Sequence, residues 1–116
     1  MNIKSEFKSI ISKFNPNLDV EWDPARQDEI KLLTRNPEDT IRFIETEMSA
    51  DDLCWMAEVF DEVFCEIYSP RLEESLRKAF EKYKGQEDVE WAYDAFSCAL
   101  DLVKYYDLPK PGFKIP

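Results

Sequence analysis

Ile3, Phe7, Ile10, Ile11 and Phe14 recur at intervals of three and four residues. That spacing lines one face of a 3.6-residue helix, so it predicts a first amphipathic helix ended by Asn15-Pro16-Asn17. A connector from Leu18 to Trp22 is expected to be partly extended. Asp23 then stands as a cap before Pro24 in the first turn of a second helix that carries Ile30 and Leu33 inward. The same grammar recurs at Asn36-Pro37, where Ile41, Ile44 and Met48 line one face and Glu38 and Thr40 are expected to point outward.

Ser49 is placed to cap the most apolar helix of the chain, with Asp51 and Asp52 in its first turn, where carboxylates suit the positive end of the helix dipole. Leu53, Met56, Val59, Phe60, Val63, Phe64 and Ile67 give it a wide stripe, which predicts one central buried helix running to Tyr68. Ser69-Pro70 breaks that run and starts a helix with Leu72, Leu76, Ala79, Phe80 and Tyr83 on one face. Gly85 suits a left-handed residue after its end. A last helix starts near Glu87 and buries Val89, Ala92, Phe96, Ala99, Leu100 and Val103.

Short connections make neighbouring helices antiparallel, so two helical hairpins, Asn36 to Tyr68 and Ser69 to Tyr106, are expected to stack. The fold expected is all-α: one domain over 1–116, a compact bundle of five to six helices with short loops. The proline-rich residues 108–116 form an irregular tail in which Phe113 and Ile115 either dock on the bundle or fray.

Composition sharpens this. Gly occurs only twice in 116 residues, too seldom for a fold built on tight hairpin turns and without the spacing of a phosphate-gripping loop. His is absent and the three cysteines form no C-x-x-C, which removes thiolate–imidazole catalysis and the histidine-bearing metal motifs. Cys54, Cys65 and Cys98 each lie inside an apolar helical pattern and are expected to be buried thiols of a reducing compartment. The charged N-terminal stretch has no apolar core of a signal peptide and no 18-residue apolar run follows, so a cytoplasmic protein that neither crosses nor binds a membrane is expected.

The net charge of −10 is unevenly placed: six acids against six bases from Met1 to Arg35, 19 against 7 from Asn36 to Asp107, then Lys110 and Lys114. Negative potential on this scale repels nucleic acid and speeds encounter with a cationic partner, although solubility alone would also account for it. Glu58, Glu62 and Glu66 are spaced by four, and no Lys or Arg lies between Ser49 and Tyr68. On a continuous helix such a row costs about a few tenths of a kcal/mol per pair. Beside Trp55, and with Asp61, it has the composition of an interface anchor for a basic partner, the alternative being a core tryptophan. Trp91, Asp94, Cys98, Asp101 and Tyr105 form a second acidic and aromatic strip, either sandwiched in the core or facing a partner. By contrast, Glu73 with Arg77 and Glu74 with Lys78 are balanced i,i+4 pairs of a solvated face. No metal, cofactor or catalytic group is expected. No calcium-binding loop is present, and no residue pattern marks a pocket that would tune a carboxyl pair for acid–base work.

The segment Leu53-Cys54-Trp55-Met56-Ala57-Glu58-Val59-Phe60-Asp61-Glu62-Val63 follows Glu45-Thr46-Glu47-Met48-Ser49 and precedes Ser69-Pro70-Arg71-Leu72-Glu73-Glu74-Ser75-Leu76 and Lys82-Tyr83. Over about Asn36 to Ala99 this resembles the small helical immunity proteins of bacterial contact-dependent inhibition and polymorphic toxin systems. Their W-x-x-E-V-F helix is followed by a serine-bearing break and a leucine-bearing helix ending in Lys-Tyr. Pro70 in the break and a longer N-terminal part depart from that pattern. The resemblance implies a cytoplasmic protein that binds and blocks one cognate toxin, cationic and in many cases a nuclease; in the free state a monomer is expected. It also implies Trp55, Glu58, Asp61, Glu62 and Glu66 as partner-binding residues, with Asp94 and Asp101 next and Trp91 in the adjoining strip. The other reading of the acidity is a regulatory adaptor or DNA mimic that binds nucleic-acid-handling proteins.

Overall fold

The computed structural model describes residues 3–113. Four of the helix starts read from the sequence are closed by the expected side chains. Asp23 Oδ1 accepts from Ala25 N at 2.9 Å, Asn36 Oδ1 from Glu38 N at 3.1 Å, Ser49 Oγ from Asp52 N at 3.1 Å and Ser69 Oγ from Leu72 N at 3.1 Å. Each bond satisfies an amide that the first helical turn leaves without a partner. At Ser49 the bond is reciprocal, since Asp52 accepts from the Ser49 amide and completes a capping box. Asp23 also accepts from Asn15 N at 2.7 Å with its second oxygen, tying the connector to the helix it caps.

Among the described residues there are seven α-helices and no strand. They are α1 (Ile3–Ile11), α2 (Pro24–Arg35), α3 (Pro37–Thr46), α4 (Ala50–Ala57), α5 (Phe60–Ile67), α6 (Pro70–Lys82) and α7 (Val89–Tyr106). The all-α expectation holds, with one helix more than the upper count. The connector expected to be partly extended contains a single 3-10 turn, Val20–Trp22. α1 stops short of Phe14, which packs instead against Trp55 with ring centroids 5.0 Å apart.

The extra helix arises because the stretch Ser49 to Tyr68 is not one helix. It breaks at Glu58-Val59, where both amides bond three residues back, Glu58 N to Trp55 O and Val59 N to Met56 O. Val59 leaves helical geometry at φ −125°, ψ 15°. A straight helix would put Val59 at the edge of the stripe, toward Glu62 and Glu66. The tight turn folds Val59 into the core instead, where it is fully buried. The turn also leaves the Glu58 carbonyl to accept from Arg26 of α2 at 3.5 Å.

The helices of the two expected hairpins follow one another in the chain but do not pack extensively on each other; the extensive packing runs between the two groups. α3 lies on α6, while α4 and α5 both lie on α7; α1 and α2 pair and close over α5 and α3. Phe60, Phe64, Phe80 and Phe96 meet at the centre with centroids 5.2 to 6.4 Å apart, the range in which aromatic pairs attract beyond simple burial. The radius of gyration, 13.4 Å, is that of a chain of this length folded around one core, about 13 Å.

Two smaller expectations are corrected, and one left open for the tail is settled at Phe113. Thr40 does not face outward: it is fully buried, and its hydroxyl donates to Leu33 O at 2.7 Å, linking α3 to the end of α2. Of the three cysteines, Cys65 is buried, Cys54 half-buried and Cys98 exposed, all as free thiols. In the tail, Leu108 is buried and Phe113 docks on Tyr106 at 5.0 Å, while Ile115 lies outside the described residues.

Candidate partner-binding surface

Burial of Val89, Ala92, Phe96, Ala99, Leu100 and Val103 fixes the rotation of α7. The opposite side must then carry Trp91, Asp94, Cys98, Asp101 and Tyr105, and all five are exposed. Trp91 is 48% and Tyr105 81% accessible, so this strip is not sandwiched in the core. Among the described residues, neither Asp94 nor Asp101 enters an ion pair. The one base of α7, Lys104, lies toward Glu73 of α6, where it helps hold that carboxyl low.

The carboxylates after Ser49 are arranged differently from the continuous row expected. The turn at Glu58-Val59 puts Glu58 at the end of α4, and Glu62 and Glu66 on α5. Glu62 is neutralised by Arg26, whose guanidinium meets it at 2.5 Å in a pair only 17% and 28% exposed. Glu66 and Asp61 face solvent, whereas Glu58 is half-buried. Of these four carboxylates only Glu62 pairs with Arg26, and the four do not present one shared acidic face.

Glu29 of α2 completes that cluster and could not be read from the sequence as part of it. It is fully buried, neither carboxyl oxygen has a hydrogen-bond partner among the described residues, and burial pushes its carboxyl up to about 8. Glu58 and Glu62 add to the rise, and Arg26 partly offsets it. Burial also raises Glu58, again partly offset by Arg26; Asp61, although it reaches solvent, is raised by its partial burial against the protein and then by Glu62. Arg26 and Glu29 sit three residues apart on the inner side of α2, but nothing local shows that Glu29 there comes under the influence of Glu58 and Glu62.

Between α4, α7 and the connector runs a groove of roughly 370 Å³ lined by Val20, Cys54, Trp55, Glu58, Asp88 and Trp91. The two tryptophans singled out separately in the sequence thus share one site. Trp55 is half-buried and backed by Phe14, and Trp91 stands at the rim. Asp88 occupies the N-cap of α7 at φ 68° without a capping hydrogen bond from its side chain. Burial pushes the Cys54 thiol up, with Asp88 and Asp51 adding to it, which keeps it a poor nucleophile.

The basic side chains are used elsewhere. Arg35 pairs with Glu6, Arg42 with Asp39, Arg71 with Glu38 and Glu45, Arg77 with Glu73 and Lys78 with Glu74. The balanced pairs of α6 are thus formed as expected. A cavity of roughly 600 Å³ where the end of α6 meets the start of α7 mixes Arg77 and Lys84 with Glu81, Glu90 and Asp94. Among the described residues no group of three or more acidic or cysteine side chains is placed to hold a metal ion, and no helix is long and apolar enough to cross a membrane. Comparison with family models, curated proteins and solved structures finds no match to this all-helical chain.

Proposed function

We propose that this chain is a toxin-neutralising immunity protein that covers a cationic surface of a cognate toxin domain with the outer face of α7. The observation that carries this reading is the strip Trp91, Asp94, Asp101 and Tyr105, which is exposed and whose two aspartates have no ion pair among the described residues, beside a core that needs none of the four. Large aromatics among carboxylates supply the two parts of a basic-partner interface: apolar anchors that lose water on contact, and a field that steers the encounter. Exposed Asp61 and Glu66 on α5 extend the field, whereas Glu62 serves the fold through Arg26. Binding rather than turnover is the activity this surface suits. The sequence resemblance over Asn36 to Ala99 points to the same class of protein.

A DNA-mimicking adaptor is the weaker reading. Its carboxylates would have to follow an elongated, duplex-like surface, and the molecule measures 34 × 30 × 28 Å.

The test is association with a basic toxin domain, sought first in the neighbouring open reading frames, measured by stopped flow at 50 and 300 mM salt. Asp94→Lys with Asp101→Lys is expected to slow association by roughly tenfold or more at low salt, and much less at high salt, with the fold intact by circular dichroism. An on-rate unchanged by the double reversal would remove the α7 face from the interface.

A further inference from the structure

We propose that the groove between Trp55 and Trp91 is a receptor for one arginine side chain of the partner protein. The existence of such a partner rests on the reading above; the chemistry of the groove does not. A volume of roughly 370 Å³ lies near the lower end of ligand pockets, about 300–1,000 Å³, and suits a single side chain better than a helix.

Its lining selects for a planar cation. Two indoles offer the aromatic faces that attract cations most strongly. Glu58 and Asp88 add two carboxylates, and the lining contains no basic side chain. Neither carboxylate forms an ion pair among the described residues. Asp88 is free for this use because its side chain does not cap α7, although it sits at the cap position. Trp55 is held in place by Phe14 on one side, so a ligand meets a ring that is already oriented. Guanidinium fits better than ammonium because it stacks flat on an indole while its separate N–H groups reach two carboxylates. An anionic or purely apolar side chain would leave both carboxylates facing the wrong chemistry.

The test uses the full chain labelled with nitrogen-15, following the three indole N–H signals by NMR while N-acetyl-arginine amide is added. The Trp55 and Trp91 signals are expected to shift saturably, and that of Trp22, which is 71% exposed in the connector, to stay. N-acetyl-lysine amide should bind more weakly and N-acetyl-glutamine amide should leave the signals unmoved. Asp88→Asn is the preferred variant, since asparagine tolerates a left-handed backbone. With Glu58→Gln, each lost carboxylate should weaken the arginine probe roughly two- to fivefold. Equal shifts at all three indoles, no saturation, or an affinity untouched by both variants would overturn the proposal. The two readings fail separately. If the probe seats in the groove but no basic toxin binds the chain, the groove stands and the immunity function falls. If a toxin binds as tightly to the Asp88→Asn, Trp91→Leu variant as to the parent, the groove falls and the immunity function stands.

Discussion

Replacing Glu29 by Gln removes the titratable proton from a side chain that the fold encloses completely and leaves without a hydrogen-bond partner among the described residues. Its carboxyl is pushed from an ordinary value of 4.5 up to about 8. Between those two values the folded chain holds a proton that the unfolded chain has released. The folded state therefore binds more protons, and stability falls as pH rises. The contribution is fully present below pH 4.5, declines through neutrality and is lost above about 8. At about 1.4 kcal/mol for each pH unit, the whole loss is about 5 kcal/mol, and about 3 kcal/mol of it has gone by pH 7. Burial of Glu58 and Asp61 tilts stability the same way, whereas Glu6, held low by Arg35, and Glu73, held low by Tyr68 and Arg77, act in the opposite direction. The difference between parent and Glu29→Gln cancels these common slopes. Urea unfolding followed by tryptophan fluorescence at pH 5 and pH 8 measures it. The advantage of Glu29→Gln over the parent should grow by about 3 to 4 kcal/mol between those pH values. Curves that run parallel, with the difference constant to within about 1 kcal/mol, would refute the assignment of Glu29 as a buried protonated acid.

Two further changes probe the frame. Arg26→Leu leaves Glu62 facing Glu29 and Glu58 without its guanidinium and should cost about 2 kcal/mol at pH 7, less than a fully buried pair, in the same urea assay. Gly85→Ala meets no atom within 4 Å but must adopt φ +87°, so a loss of about 1 kcal/mol, seen as a lower thermal midpoint, should come from the backbone alone.

Helix starts at Asp23, Asn36, Ser49 and Ser69, the inner face of α7 and the i,i+4 pairs of α6 were all legible in the sequence. Each depends on residues within about one helical turn, where the identity of the side chain decides which amide it bonds or which face it joins. Tertiary structure alone decided the turn at Glu58-Val59, because the wide apolar stripe of Leu53 to Ile67 fits a straight helix equally well. Only α2 and α7 on either side make it favourable to fold Val59 inward and turn the Glu58 carbonyl toward Arg26. The same holds for the partner-binding residues. Trp55 and Trp91 were visible as separate candidates, but their meeting in one groove with Asp88 depends on α4 lying on α7. Glu29 and Thr40 were misplaced or missed for a related reason: burial of a polar side chain is decided by what packs over it, and those neighbours come from distant parts of the chain.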